Sequence, residues 1–276
     1  MEIPLFPLHT VLCPGIVLPL HIFEERYRAL VRHCLDTGLP FGVVLIRDGR
    51  EVGPGAASTL AGVGAFAEIR RAGRYPDGRF DLLAAATGRF AIESVDAMKA
   101  PYLVADVTPL DDEVGDEPRA EHLSAAAIRR FVRYLELMRA RDGETTETLD
   151  IQVELDAPDG VAGTDGEDDD PLAAILADVD ADEDDTEDDE GDDDEGDDDD
   201  VATELTIPDD PTVLSYLLSG IVQVELPRRQ RLLEADTTEE RLEELVALLD
   251  REIMLLGERL RYFAPDPRLM SGAVRS

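Results

Sequence analysis

Few residues of this chain could do chemistry, and their spacing argues against most of the reactions they could support. One lysine, Lys99, stands among 276 residues. A phosphate-binding loop of the GxxxxGK[ST] type needs a lysine reaching the phosphates from a glycine-rich cradle. Lys99 lies in DAMKAPY, with no such glycines before it and Ala100 after it. A serine–lysine peptidase dyad would have to use the same lysine, at a strand–turn junction, and is set aside. The histidines are His9, His21, His33 and His122. His9 with Cys13, and His33 beside Cys34, can be imagined around zinc, yet neither CxxC nor HExxH spacing occurs. Asp178, Asp180 and Asp182 imitate the start of a calcium loop. The sixth position is Glu183 and not Gly, and the twelfth is Asp189 and not Glu, so the turn and the bidentate ligand are missing. Glu24, Arg26 and Arg28 adjoin an apolar stripe and read as helix-capping and loop-anchoring groups. The expectation is a protein with no catalytic residues, no metal and no cofactor. A hydrolase would require convergent titratable groups, and no spacing points to them.

The elements that must hold these residues are well marked. Residues 4–31, PLFPLHTVLCPGIVLPLHIFEERYRALV, form an apolar run broken by Pro4, Pro7, Pro14 and Pro19. Each proline removes a backbone donor that a bilayer core could not replace, so the run reads as short strands and turns feeding a helix. Its start has Glu2 and lacks the basic end and cleavage site of a secretory signal. Phe23, Tyr27, Leu30, Val31 and Cys34 fall on one stripe at helical period, with Gly38 placed to close the helix. Strands are expected near 42–46, 63–71, 79–86, 89–95 and 102–107, with Tyr75-Pro76-Asp77-Gly78 as the turn between the second and third. That spacing suggests a small barrel or sandwich. Helical period returns from Glu121, with Ile128, Phe131, Val132, Leu135 and Met138 on one face and Arg129, Arg130, Arg133 and Arg139 around it. Asp210-Pro211 opens a second helical block. Asp236-Thr237-Thr238-Glu239 has capping-box spacing and opens the last helix, whose stripe runs from Leu242 to Leu260.

The formal net charge is −37, but residues 165–200 hold 23 Asp or Glu and no Lys or Arg, which leaves −14 on the other 240 residues. Nucleic-acid binding needs a basic surface to displace counterions, so nucleic acid is not an expected partner, and neither is a membrane. Like-charge repulsion and the scarcity of apolar residues predict a largely disordered acidic insertion, with Pro171–Leu176 as an apolar island. The arginines at 129–139 read as a solvated helix face in preference to a docking surface for an acidic partner. Cys13 and Cys34 sit in apolar contexts and are expected to be reduced, buried thiols of a cytoplasmic protein.

Residues 3–31 resemble the opening of the Lon protease amino-terminal, substrate-binding domain. The pattern stands here as Pro4-Leu5-Phe6-Pro7-Leu8, Val11-Leu12-Cys13-Pro14-Gly15 and Pro19-Leu20-His21-Ile22-Phe23-Glu24-Glu25-Arg26-Tyr27-Arg28. Further echoes are Gly62-Val63-Gly64, Asp77-Gly78-Arg79, Thr87-Gly88-Arg89-Phe90, Arg231-Leu232-Leu233-Glu234 and Arg241-Leu242. Cys13 replaces the commoner aromatic residue, and the acidic insertion departs from the pattern. The resemblance implies an α+β fold: a PUA-like β pseudo-barrel with an inserted helix, followed by a C-terminal helical bundle. The division it suggests is a β domain at 1–118, a first long helix at 119–143, the acidic insertion at 144–207, a helical bundle at 208–265 and a tail at 266–276. It also implies a stand-alone member without ATPase and peptidase domains.

The function expected from this resemblance is non-catalytic recognition of unfolded or apolar protein segments, with a separate Lon-type protease as a possible further partner. Candidate contacts are Leu18, Pro19, Ile22 and Phe66. The alternative is an adaptor or regulatory protein acting through its acidic tract on a basic partner.

Overall fold

The structure is a computed structural model and describes residues 1–47, 60–142 and 207–263. Contacts divide the chain into one unit of residues 1–148 with 208–276 and another of 149–207; every element below belongs to the first. Asp48-Gly49, where the sequence suggests a turn after the 42–46 strand, the acidic tract with its calcium-like spacing, and the tail lie outside the described residues.

The strands are β1 (Glu2–Leu8), β2 (Val17–Ile22), β3 (Phe41–Leu45), β4 (Val63–Arg74), β5 (Phe80–Asp96) and β6 (Leu103–Leu110). β1 runs parallel to β3, from Leu5 opposite Gly42 to Leu8 opposite Leu45. It is antiparallel to β6, and the antiparallel pairs β3–β4, β4–β5 and β5–β6 close the ring. Two glycines let the ring fill. A Cβ at Gly42 would lie 2.7 Å from Phe90 Cζ, and one at Gly64 would lie 2.5 Å from the Val43 carbonyl oxygen. Phe90 takes that space and is fully buried with Ile3, Leu5 and Val107.

β5 is one long strand where the sequence suggested two. A register shift between the Phe66–Gly88 and Ala67–Ala86 pairs absorbs Thr87 as an extra residue, so the strand bends without breaking. Its first part, the distal half of β4 and β2 form a three-stranded flap beyond the ring, with β2 paired to β5 alone. Helix α1 (Glu25–Thr37) covers one face of this flap. Tyr27, Leu30, Val31 and Cys34 are buried as the stripe predicts, and Gly38 closes the helix at φ 69°. Phe23 departs from the expectation. It precedes the helix and is 63% exposed, because Ile22, the last residue of β2, occupies the buried position instead. The turn at Tyr75–Gly78 forms as expected, with Gly78 at φ 85°. Arg28 of α1 packs so closely there that a Cβ on Gly78 would lie 2.6 Å from its Nη2.

The remaining helices are α2 (Glu117–Asp142), α3 (Pro211–Ile221), α4 (Leu226–Glu234) and α5 (Thr238–Phe263). Asp210 caps α3 by accepting from the Thr212 and Val213 amides. The cap of α5 sits one residue later than the spacing suggested, with Thr237 Oγ1 accepting from Glu240 N at 3.1 Å. α2 and α5 run in the same direction, tied by Arg119–Glu239 at 3.0 Å and Arg130–Asp250 at 2.7 Å. The arginine face of α2 is thus partly neutralised by α5, and Arg133 by Glu136 of α2 itself.

A buried clasp joins the ring to the helices. Arg89 of β5, 2% exposed, donates to Asp112 Oδ1 at 3.0 Å and to the carbonyls of Leu233 and Ala235 at 2.9 and 2.7 Å. Arg241 of α5, fully buried, stacks 3.7 Å over the Tyr216 ring of α3 and donates to Ser215 Oγ and the Leu232 carbonyl. The Tyr216 hydroxyl donates to Asp112. One carboxylate therefore serves two buried guanidiniums, and burial lowers the Arg241 pKa from its ordinary value.

Candidate functional site: the outward face of the flap

The register of β2 decides which of its residues can meet a partner. Ala86 N donates to Ile16 O, and the pairing proceeds Leu18–Ala84, Leu20–Leu82, Ile22–Phe80. Leu18, Leu20 and Ile22 therefore face α1 and join its core cluster; Ile22 is 2% exposed. Val17, Pro19 and His21 face the other way, since strand side chains alternate.

Directly opposite residues share a face, so the outward surface can be read row by row. Val17, Ala85 and Glu68 make one row; Pro19, Leu83 and Arg71 make the next; His21, Asp81 and Gly73 make the third. The centre is apolar: Pro19 is exposed, and Val17 and Leu83 beside it are partly buried. At one end stand three rings, with Phe23 stacked 6.3 Å from His21 and Tyr75 edge-on to it at 6.2 Å. On the β4 side of the first row, Phe66 shares this face, half-buried against Phe90 with ring centroids 4.9 Å apart. Beside the start of β2, Ile16 fills the space above Gly220 of α3, where a Cβ would meet its Cγ1 at 2.6 Å.

The structure thus splits the four sequence-selected residues. Pro19 and Phe66 lie on the outward face, while Leu18 and Ile22 lie on the face that α1 covers. The sequence reading did not select Val17, Leu83, Phe23 or Tyr75 for contact. Alternation within VLPLHI offers two faces, and only the pairing with β5 says which is open.

The acidic groups of this face are held in pairs. Asp81 Oδ1 lies 2.5 Å from His21 Nδ1, and Oδ2 accepts from the Tyr75 hydroxyl. These two hydrogen bonds hold the Asp81 carboxyl below its ordinary range, and the same bond raises the Tyr75 hydroxyl. Asp77 accepts from the Arg79 amide at 3.0 Å and pairs with its guanidinium at 2.6 Å. The backbone bond is the main reason its pKa is lowered. His21 Nε2 has Arg79 Nη1 at 3.5 Å as its neighbour, and no hydroxyl or thiol among the described residues bonds to it. Among the described residues, the His21–Asp81 pair has no nucleophile within hydrogen-bond reach. Cys13 and Cys34 are buried and free, and desolvation pushes their thiols up to about 11 and about 12. Among the described residues, no three His, Cys, Asp or Glu side chains converge as metal ligands, and no helix is long and apolar enough to cross a membrane. A cleft of about 450 Å³ lies elsewhere, between the α3–α4 connection and α5. Arg229, Arg251, Glu225 and Glu252 among others line it, and its mixed charges do not suit an apolar ligand.

An α+β protein with a closed strand ring, a three-stranded flap covered on one face by a helix and a set of packed helices is the class the geometry defines. Residues 2–251 match the ATP-dependent protease La (LON) substrate-binding domain, and the chain belongs to that family. It is 28% identical over 150 residues to Lon protease 2 of Myxococcus xanthus, covering 54% of this chain and 18% of that protein. It is 23% identical over 257 residues to the Lon protease of Escherichia coli K12, covering 93% of this chain and 25% of that protein. The chain therefore spans a quarter or less of these relatives. Among solved structures it is similar to a Lon N-terminal domain protein from Xanthomonas campestris, at 21% identity and TM-score 0.48, covering 90% of this chain and 98% of that one.

Proposed function

We propose that this chain is a non-catalytic protein-recognition module that binds exposed apolar or unfolded segments of other proteins on the outward face of the flap. Membership of a substrate-binding family supports recognition as the role. The observation that carries the choice of surface is exposed Pro19, flanked by partly buried Val17 and Leu83 and bordered by Phe23 and Tyr75, 63% and 40% exposed. Burying such side chains against a partner yields about 25 cal/mol per Å² of apolar area. The fold belonging to this reading is a PUA-like pseudo-barrel followed by a helical bundle; the closed ring and the parallel pair α2 and α5 support it. A separate Lon-type protease is the proposed recipient of captured segments. The module is cytoplasmic in this account.

The test is binding of the full chain, and of a variant lacking residues 165–200, to a reduced, unfolded test protein and to its folded form. The expected result is selective binding of the unfolded form by both chains. Val17→Asp with Pro19→Asp should weaken it about tenfold, the ratio that 1.4 kcal/mol represents. Binding lost only on deletion of 165–200 would favour an adaptor acting through its acidic tract on a basic partner. Binding unchanged by the double substitution would remove the flap from the account.

A further inference from the structure

Two devices fix how a segment could lie on the flap, and together they imply a charge preference. The first is Pro19. Because Leu18, Leu20 and Ile22 exchange backbone bonds with β5, the N–H and C=O groups of Val17 and His21 point to the open edge of β2, and Pro19 between them has no N–H. Proline at that position interrupts any added ladder and discourages pairing of another strand along the edge. A bound segment is held by side chains on the face, not by extension of the sheet.

The second device is the distribution of charge around the face. Its acidic groups are already engaged: Glu68 lies 3.6 Å from Arg70, Asp77 is bound by Arg79, and Asp81 by His21 and Tyr75. On the neighbouring entry to α1, Glu24 pairs with Arg26 at 2.8 Å, and Glu25 with Arg28 and Arg32 at 3.3 and 3.0 Å. The cations are in excess of what these pairs use. Arg71 is exposed, stands in the same row as Pro19 and Leu83, and has no ion pair among the described residues. A register shift at Ile69/Arg71 puts it there: Arg70 becomes the extra residue of a bulge, and Arg71 falls opposite Leu83 on the outward side. Without that bulge Arg71 would share the parity of Ile69 and point toward α1.

Resting on the reading that this face binds apolar segments, we infer that it selects those whose apolar residues are flanked by carboxylates and disfavours those flanked by lysine or arginine. The apolar or aromatic residue lies on Pro19 and Leu83, with a carboxylate against the Arg71 guanidinium, a planar donor that can take it in two parallel bonds.

Two peptides test this, each with the core Leu-Pro-Leu-Phe, one flanked by aspartates and the other by lysines. Their affinities for the full-length chain are measured at 0.15 M salt, where charges more than a Debye length of about 8 Å apart are largely screened. The aspartate-flanked peptide is expected to bind about fivefold more tightly, the ratio that ~1 kcal/mol from an exposed ion pair represents. Arg71→Gln should bring the two affinities together, and Arg71→Glu should reverse their order, with circular dichroism and melting temperature unchanged. Equal binding of both peptides, or a preference that survives both substitutions, overturns the charge selection and leaves apolar recognition standing. Binding of neither peptide overturns both readings.

Discussion

The clasp at Asp112 and the cluster at Asp81 contain nearly the same groups in opposite surroundings. In each, a tyrosine hydroxyl donates to an aspartate, and an arginine lies over the tyrosine ring, Arg241 at 3.7 Å from Tyr216 and Arg79 at 5.3 Å from Tyr75. At the clasp, Arg241 is fully buried and Arg89 is 2% exposed, so neither can recover its hydration if the carboxylate is lost. At the flap, the same bonds stand in water, which takes over their work when they break. Stability rests on the first set, and the second stands exposed on the flap surface. Chemistry alone does not separate them; burial does.

The sharpest way to break this comparison is to remove each carboxylate. Asp112→Ala strands two buried guanidiniums and should cost about 3–5 kcal/mol, read as a lowered urea midpoint. Asp81→Asn should leave the midpoint where it is. Equal losses at the two sites would show that the clasp is not the buried network described here. The tyrosines sharpen the contrast at a smaller scale. Tyr216→Phe leaves Asp112 without one of its donors inside the clasp and should cost about 1–2 kcal/mol. Tyr75→Phe should not move the transition measurably.

A smaller effect appears at alkaline pH. Burial raises Cys13 from 9.0 to about 11 and Cys34 from 9.0 to about 12. Between those values the unfolded chain has released thiol protons that the folded chain still holds. This contribution to stability is complete below pH 9 and is lost as pH rises toward 12. The urea midpoint should fall between pH 8 and pH 10, and Cys34→Ala should flatten that dependence. A midpoint that rose with pH would contradict the burial of these thiols.

Local features of the fold were legible in the sequence, and long-range ones were not. The stripe Tyr27–Cys34, the closing Gly38, the turn at Tyr75–Gly78 and the Asp210 cap are each written within a few neighbouring residues. The parallel pairing of β1 with β3 is not, because nothing in either strand names its partner. Arg89 and Arg241 stand out in the sequence only as echoes of the family pattern, and the tertiary meeting with Asp112 gives the reason for their burial. The candidate site shows the same limit at closer range. PLHIF was recognisable as a place of interest, but its two faces look equally apolar until β5 is paired. Phe23 is the instructive case: helical periodicity assigned it to the core, and the helix begins two residues too late for it to belong there.

The central claim is that apolar segments rest on the outward face of the flap and not on the helices. An unfolded polypeptide carrying a photoreactive phenylalanine analogue, cross-linked to the full chain and mapped by mass spectrometry, tests it directly. The account predicts attachment at Val17, Pro19, Leu83 and the rings of Phe23 and Tyr75, and its loss when Val17 and Pro19 are replaced by aspartate. Attachment concentrated on α2 and α5, unaltered by those replacements, would contradict it.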